Sequence, residues 1–303
     1  MKKPEPRAHH QLAYNKSDNR VYMMGGGAMG AKPVRAYSDM WVWEAKAWRK
    51  IEQHDFPRSA HRLVYSDTDG GLLSFGGADD GALRADAVLH IWKDGSWKAL
   101  AENESAAAGE PGACYDPARA SLVIFGGAVP GGRLNDRVFE WDGRVFAGVG
   151  NEGDGPGGRL GHSFTWDPTT KTCLLYGGRD ASGAVRSDTW TWDGDGWTKL
   201  DVQGPGSRFI HSAASDEFRK RMIIFGGQAG DESLLSDTWV FDSEGWRRIA
   251  EDGPSARMMG RMAAFPDGII LFGGRAANPE GSPLYRDRDD TWILAGENWV
   301  RLD

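Results

Sequence analysis

Arginine and histidine recur along this chain in a fixed relation to one another. Arg7, Arg58, Arg159, Arg208 and Arg257 each stand three residues before a position that holds His10, His61, His162 and His211 in four copies and Gly260 in another. A second set, Arg35, Arg84, Arg133, Arg186 and Arg286, falls in the loops between. Guanidinium groups take carboxylates and phosphates in bidentate fashion, so two arginine rings would suit anionic groups on a partner or ligand. The competing reading pairs the first set with Asp39, Asp188, Asp237 and Asp290, tying strand ends together. Loop position favours contact with a partner over packing. The loop from Arg275 to Asp289, with Arg286 and Arg288 beside Tyr285, is therefore the first candidate for a specific contact. The four histidines invite a metal. Sheets packed about 10 Å apart, however, cannot bring four equivalent side chains to about 2 Å from one ion. Structural histidine is the expectation, with no metal and no cofactor.

The elements that carry these residues repeat. Gly25-Gly26, Gly76-Gly77, Gly126-Gly127, Gly177-Gly178, Gly226-Gly227 and Gly273-Gly274 are separated by steps of 51, 50, 51, 49 and 47 residues, which divides the 303-residue chain into six copies. Each pair closes a short apolar run such as Leu122-Val123-Ile124-Phe125 or Met222-Ile223-Ile224-Phe225, and each run reads as a strand. Downstream lies an acid followed by alternating aromatics, as in Asp188-Thr189-Trp190-Thr191-Trp192, then a turn and Trp197 three residues before Leu200. Each copy thus carries four strands: a after Arg-x-x-His, b ending in Gly-Gly, c with the aromatics and d with Trp-x-x-aliphatic. Thirteen of the fourteen tryptophans fall at aromatic positions of c and d, where they read as core between neighbouring sheets, and Trp166 on a strand a is the exception. No stretch keeps a 3.6-residue apolar period, so helices are expected to be nearly absent.

The period, the four strands, the double glycine and the aromatic strand together resemble the Kelch-repeat family of β-propellers, the class of galactose oxidase-like and Kelch-like folds, over nearly the whole chain. The resemblance implies an all-β, six-bladed propeller forming a single domain over 1–303, with blades at about 6–52, 57–101, 108–149, 156–201, 205–250 and 254–303. Because Arg7 and His10 open the first strand a and Trp299 to Leu302 form the last strand d, each blade is expected to be contiguous, with no strand exchange at the seam. The third copy departs most, with Ala108 and Pro111 for Arg and His and Phe146 for Trp. The expected function is binding: loops on one face presented to a protein or peptide partner carrying acidic groups, with Tyr37, Phe209 and Tyr285 as aromatic anchors. The alternative is an enzyme or binder acting on an anionic sugar or small metabolite at the channel mouth, a class that includes the bacterial sialic-acid mutarotases. No set of residues matches the copper site of galactose oxidase or the iron motif of the nitrile-specifier proteins. Asp231, Glu232 and Glu280 are the carboxylates that burial could turn into a base.

Composition narrows the classes further. A net charge of −7 argues against general nucleic-acid binding, which needs a basic face. No apolar run approaches 18 residues, so no membrane span is expected, and the start of the chain shows no secretory signal. Two cysteines, Cys114 and Cys173, make no framework of bridges. They are expected as free thiols of a cytoplasmic monomer.

Overall fold

In the computed structural model, which describes residues 3–28, 36–53, 57–78, 86–150, 153–250 and 252–302, the short apolar runs become strands of about five residues. Strands a to d of each copy pair antiparallel in chain order, giving six four-stranded sheets. The first comprises Gln11–Asn15, Arg20–Met24, Asp39–Glu44 and Ala47–Gln53. The last comprises Arg261–Phe265, Gly268–Phe272, Thr291–Ala295 and Asn298–Arg301. Two smaller ribbons extend the a, b and c strands towards one face, Arg159–Leu160 with Arg179–Asp180, and Arg257–Met258 with Arg275–Ala277 and Tyr285–Asp287. Among the described residues the one helical segment is a 3-10 turn at Glu104–Ala106, started by the Asn103 side chain accepting from the Ser105 N–H.

Strand b is buried on both faces in several copies, as in Ser121–Phe125 and Gly268–Phe272, because each sheet is sandwiched between two others. Leu, Ile and Phe at such positions each contribute roughly 1.5–3 kcal/mol by leaving water. Tryptophans of strand d reach back to the preceding sheet. Trp246 Nε1 donates to Thr189 Oγ1 at 3.0 Å and Trp299 Nε1 to Thr238 Oγ1 at 2.9 Å. Trp48 of the first sheet makes the same bond, at 3.2 Å, to Thr291 of the last.

The inner strands touch in circular order, Gln11–Asn15 meeting both Arg62–Ser66 and Arg261–Phe265. Just before each lies one residue in the left-handed region: His9, Ala60, Glu110, Gly161, Ile210 and Met259, at φ between 48° and 67°. That backbone is disfavoured for L-residues other than glycine. Here it turns five of the six N–H groups onto the carbonyl of the preceding copy. Ala60 donates to His9 (3.0 Å), Glu110 to Ala60 (3.0 Å), Ile210 to Gly161 (2.6 Å), Met259 to Ile210 (2.8 Å) and His9 to Met259 (3.3 Å). These bonds offset the local conformational cost and make a backbone girdle around the mouth of the central channel.

The glycine pairs owe their identity to close approach. Gly177 and Gly178 have φ of 65° and 95°. A Cβ on Gly177 would lie 2.6 Å from the Arg208 carbonyl oxygen of the next copy, and one on Gly178 2.8 Å from His162 Cβ. Gly273 of the last copy meets the Arg7 carbonyl of the first in the same way, at 2.7 Å.

One expectation is overturned. Cys114 and Cys173 are not free thiols but form a disulfide, with Cα atoms 6.0 Å apart. They are 59 residues apart in sequence, yet strand a of the third copy packs against strand b of the fourth, and both side chains point into that shared core.

Candidate functional site

The first arginine set is accounted for by ion pairs within each copy. Arg7, Arg159, Arg208 and Arg257 are buried, and each grips an aspartate on strand c with two nitrogens. The pairs are Arg7 with Asp39 (2.6 and 2.8 Å), Arg159 with Asp188 (2.7 and 3.2 Å), Arg208 with Asp237 (2.8 and 2.8 Å) and Arg257 with Asp290 (2.6 and 2.8 Å). The same guanidiniums donate to the first glycine carbonyl of each pair, as Arg208 does to Gly226 at 3.0 Å. Each aspartate also accepts from a tryptophan two residues on, Trp239 Nε1 meeting Asp237 at 2.7 Å. Burial alone would raise these carboxyls, but the arginines hold all four below the usual carboxylate range. Arg58 pairs with Asp86 in the second copy. The third copy lacks both partners together: Ala108 replaces the arginine, and Arg137 stands at the strand position occupied by Asp188 in the fourth.

His10, His61, His162 and His211 are buried at the joints between copies. Ring edges of His10, His61, His162 and His211 lie against the first glycines Gly273, Gly25, Gly126 and Gly177 of the preceding copy. Desolvation, reinforced by Arg7, Arg159 and Arg208, holds His10, His162 and His211 well below the ordinary histidine range, so these rings are neutral packing elements. Among the described residues no cluster of three or more His, Cys, Asp or Glu could hold a metal ion.

The loop residues separate. Arg35 and Arg84 lie outside the described residues. Arg133 is exposed, and Arg186 folds onto Asp180 of its own loop through Nε at 2.7 Å. Phe209 is no surface anchor: it is 5% exposed, under the Arg179 guanidinium at 4.3 Å. Asp231, Glu232 and Glu280 are exposed, and hydrogen bonds from the Ser233 hydroxyl and N–H hold Asp231 lower, the opposite of a base raised by burial. Tyr285 and Arg286, by contrast, share the lining of one groove with Tyr37 at the seam between first and last copies. With Pro6 and Pro283 they line this groove, of about 500 Å³. Leu284 beside it is 72% exposed. Burial, with Glu5 close by, pushes the Tyr37 phenol up to about 12, so it is a neutral hydrogen-bonding aromatic.

A second concavity is the central channel, a cavity of about 600 Å³ lined by the inner strands. Of its polar residues, His162 and His211 were singled out from sequence, whereas Arg62, Glu110 and Arg261 were not. Arg62 and Arg261 open two of the strands at a position where other copies have Gln11, Gly112, Ser163 and Ser212. The Arg62 guanidinium donates to the His61 carbonyl at 3.2 Å and that of Arg261 to the Gly260 carbonyl at 2.9 Å. Glu110, on the girdle, places Oε1 2.8 Å from His9 Nδ1. Desolvation, with repulsion from Arg261, pulls Arg62 down to about 9. Glu110 is held at about 2 despite its burial, by His9 and then by the two arginines. The signal available in sequence was an arginine in two of six copies at a position otherwise small or neutral.

A family model described as the KLHDC2/KLHL20/DRC7 Kelch-repeats domain matches residues 137–300. No curated protein matches the chain.

Proposed function

Because the chain belongs to the Kelch-repeat family, whose domains generally act as protein-interaction modules, we propose that it binds a protein or peptide partner without catalysing a reaction. The partner lies on the face where the d-to-a and b-to-c loops meet, and it brings an acidic group to Arg286. The observation that carries this reading is the seam groove. It gathers two aromatic side chains, Tyr37 and Tyr285, and the exposed Arg286 into one concavity, beside the exposed Leu284. Aromatic residues and arginine are the side chains that dominate binding energy at interfaces. In this reading the six four-stranded sheets are six contiguous blades, closed by the Trp48–Thr291 and His9–Met259 bonds and by packing rather than by an exchanged strand. The Cys114–Cys173 bridge favours an oxidising compartment over the cytoplasm expected from the cysteine count.

The test is selection of peptides from a displayed library on the immobilised chain. Enriched sequences should carry Asp or Glu. Arg286→Glu and Tyr285→Ala should each weaken their binding about tenfold or more, the scale of one lost charge-assisted contact. Enriched peptides that bind both variants as tightly as the parent chain would overturn the assignment of the groove.

A further inference from the structure

The channel contains charge that the protein itself does not neutralise. Arg261 is 9% exposed, and Arg62 keeps some exposure into the cavity it lines. Among the described residues neither forms an ion pair, and the guanidinium of each donates to the carbonyl of the residue just before it. Glu110 is the carboxylate nearest in effect to both, and it is already held by His9. An excess of positive charge is therefore buried in the upper channel. Two uncharged groups are in the same condition. Gln11, 5% exposed and on the same strand position as the two arginines, has a buried Nε2 with no hydrogen-bond partner among the described residues, and Ser215 lower in the channel has a buried Oγ with none among them. Buried donors without acceptors cost stability unless something fills the site.

The channel wall is also lopsided. At one strand-a position the first four copies carry Tyr14, Tyr65, Tyr115 and Trp166, and the last two carry Ser215 and Ala264. Two of the rings are tied by hydrogen bonds to turn residues. Tyr14 Oη donates to Asn19 at 2.5 Å, and Tyr115 Oη bonds Thr68 N and Oγ1 at 3.0 and 2.9 Å. An arc of aromatic rings thus stands across the cavity from the smaller Ser215 and Ala264, with Phe218 of the fifth copy edge-on to Tyr14 at 5.7 Å. Near the far end, Lys16 spans from Asp67 of the second copy to Glu217 of the fifth, both at 3.1 Å.

We propose that the central channel is a binding site for a small carboxylic acid with a ring-shaped body. Its carboxylate lies between Arg62 and Arg261 with Gln11 Nε2 as a further donor, and its ring lies against the Tyr14, Tyr65 and Tyr115 arc. A planar carboxylate matches the guanidinium fork, and about 600 Å³ is within the range of small-molecule sites. The site is separate from the seam groove and uses none of its residues, so the two readings fail independently.

The test is thermal denaturation and calorimetric titration of the full chain with benzoate, glucuronate and inorganic phosphate, for the parent chain and for Arg62→Met and Arg261→Met. One of the ring acids should raise the melting temperature saturably, and more than phosphate does. Either variant should weaken that acid about tenfold or more. Without ligand both variants should melt at or above the parent temperature, because each removes a buried charge that lacks a counter-ion. Benzoate binding alone identifies an aromatic acid, and glucuronate binding alone a sugar acid. Three outcomes overturn the proposal: no acid binds, phosphate stabilises as well as both acids, or the unliganded variants melt well below the parent and so show the arginines to be structural.

Discussion

Lowering the pH from 7.5 to 5.5 should remove a large part of the stability of this fold, and the loss can be worked out from three side chains. His10, His162 and His211 are buried, and among the described residues neither ring nitrogen of any of them has a hydrogen-bond partner. Desolvation, with Arg7, Arg159 and Arg208 respectively next in effect, keeps each neutral in the folded state far below its ordinary value. In the unfolded chain each takes a proton near pH 6.5. The unfolded state therefore binds more protons below that pH, and stability falls as pH falls. Over this interval the loss is about 1.3 kcal/mol per histidine, or about 4 kcal/mol for the three, against a typical total of about 5–15 kcal/mol. The paired aspartates do not blur the measurement. Asp39, Asp188, Asp237 and Asp290 are depressed in the fold, so their contribution is complete above about pH 4 and fades only below it. Urea unfolding followed by tryptophan fluorescence at the two pH values measures the difference. In His211→Leu the pH-dependent drop should shrink by about a third, whatever the variant does to stability at pH 7.5. A stability that is flat between the two pH values, or a drop unchanged in His211→Leu, refutes the claim that these rings stay neutral.

Asp237→Ala should cost about 3 kcal/mol or more, because it leaves Arg208 buried without its counter-ion, whereas Arg208→Met with Asp237→Leu should cost less than Asp237→Ala alone. Chemical denaturation of the single and double variants decides this, and additive losses would mean that the pair is not coupled. The third copy, with Ala108 and Arg137 at the two positions, likewise lacks the arginine–aspartate pair. Reducing the Cys114–Cys173 bridge, or Cys114→Ser with Cys173→Ser, should lower stability by up to about 4 kcal/mol, the value for a closed loop of 59 residues. Unfolding midpoints with and without reductant measure it, and identical midpoints would mean that the bridge adds nothing.

The sequence alone determined the repeat and what the repeat needs. Local chemistry is enough for that, since Gly-Gly, the apolar run before it, Asp-x-Trp and Trp-x-x-aliphatic each act within a few residues or on an equivalent residue one copy away. The pairing of Arg7, Arg159, Arg208 and Arg257 with aspartate was legible as one of two readings, because both partners keep register. The channel site and the disulfide were not legible. His9, Gln11, Arg62, Glu110 and Arg261 come from four different copies, and what matters about them is how they differ from the residues at equivalent positions. A linear chain gives no weight to such differences. The ring of sheets does, because it gathers the same strand position from every copy around one axis, so that two odd arginines far apart in sequence share one cavity. The same packing sets Cys114 against Cys173 and brings Tyr37 and Tyr285 to one groove, an arrangement decided by which sheets are neighbours and by the circle of contacts that joins the first sheet to the last.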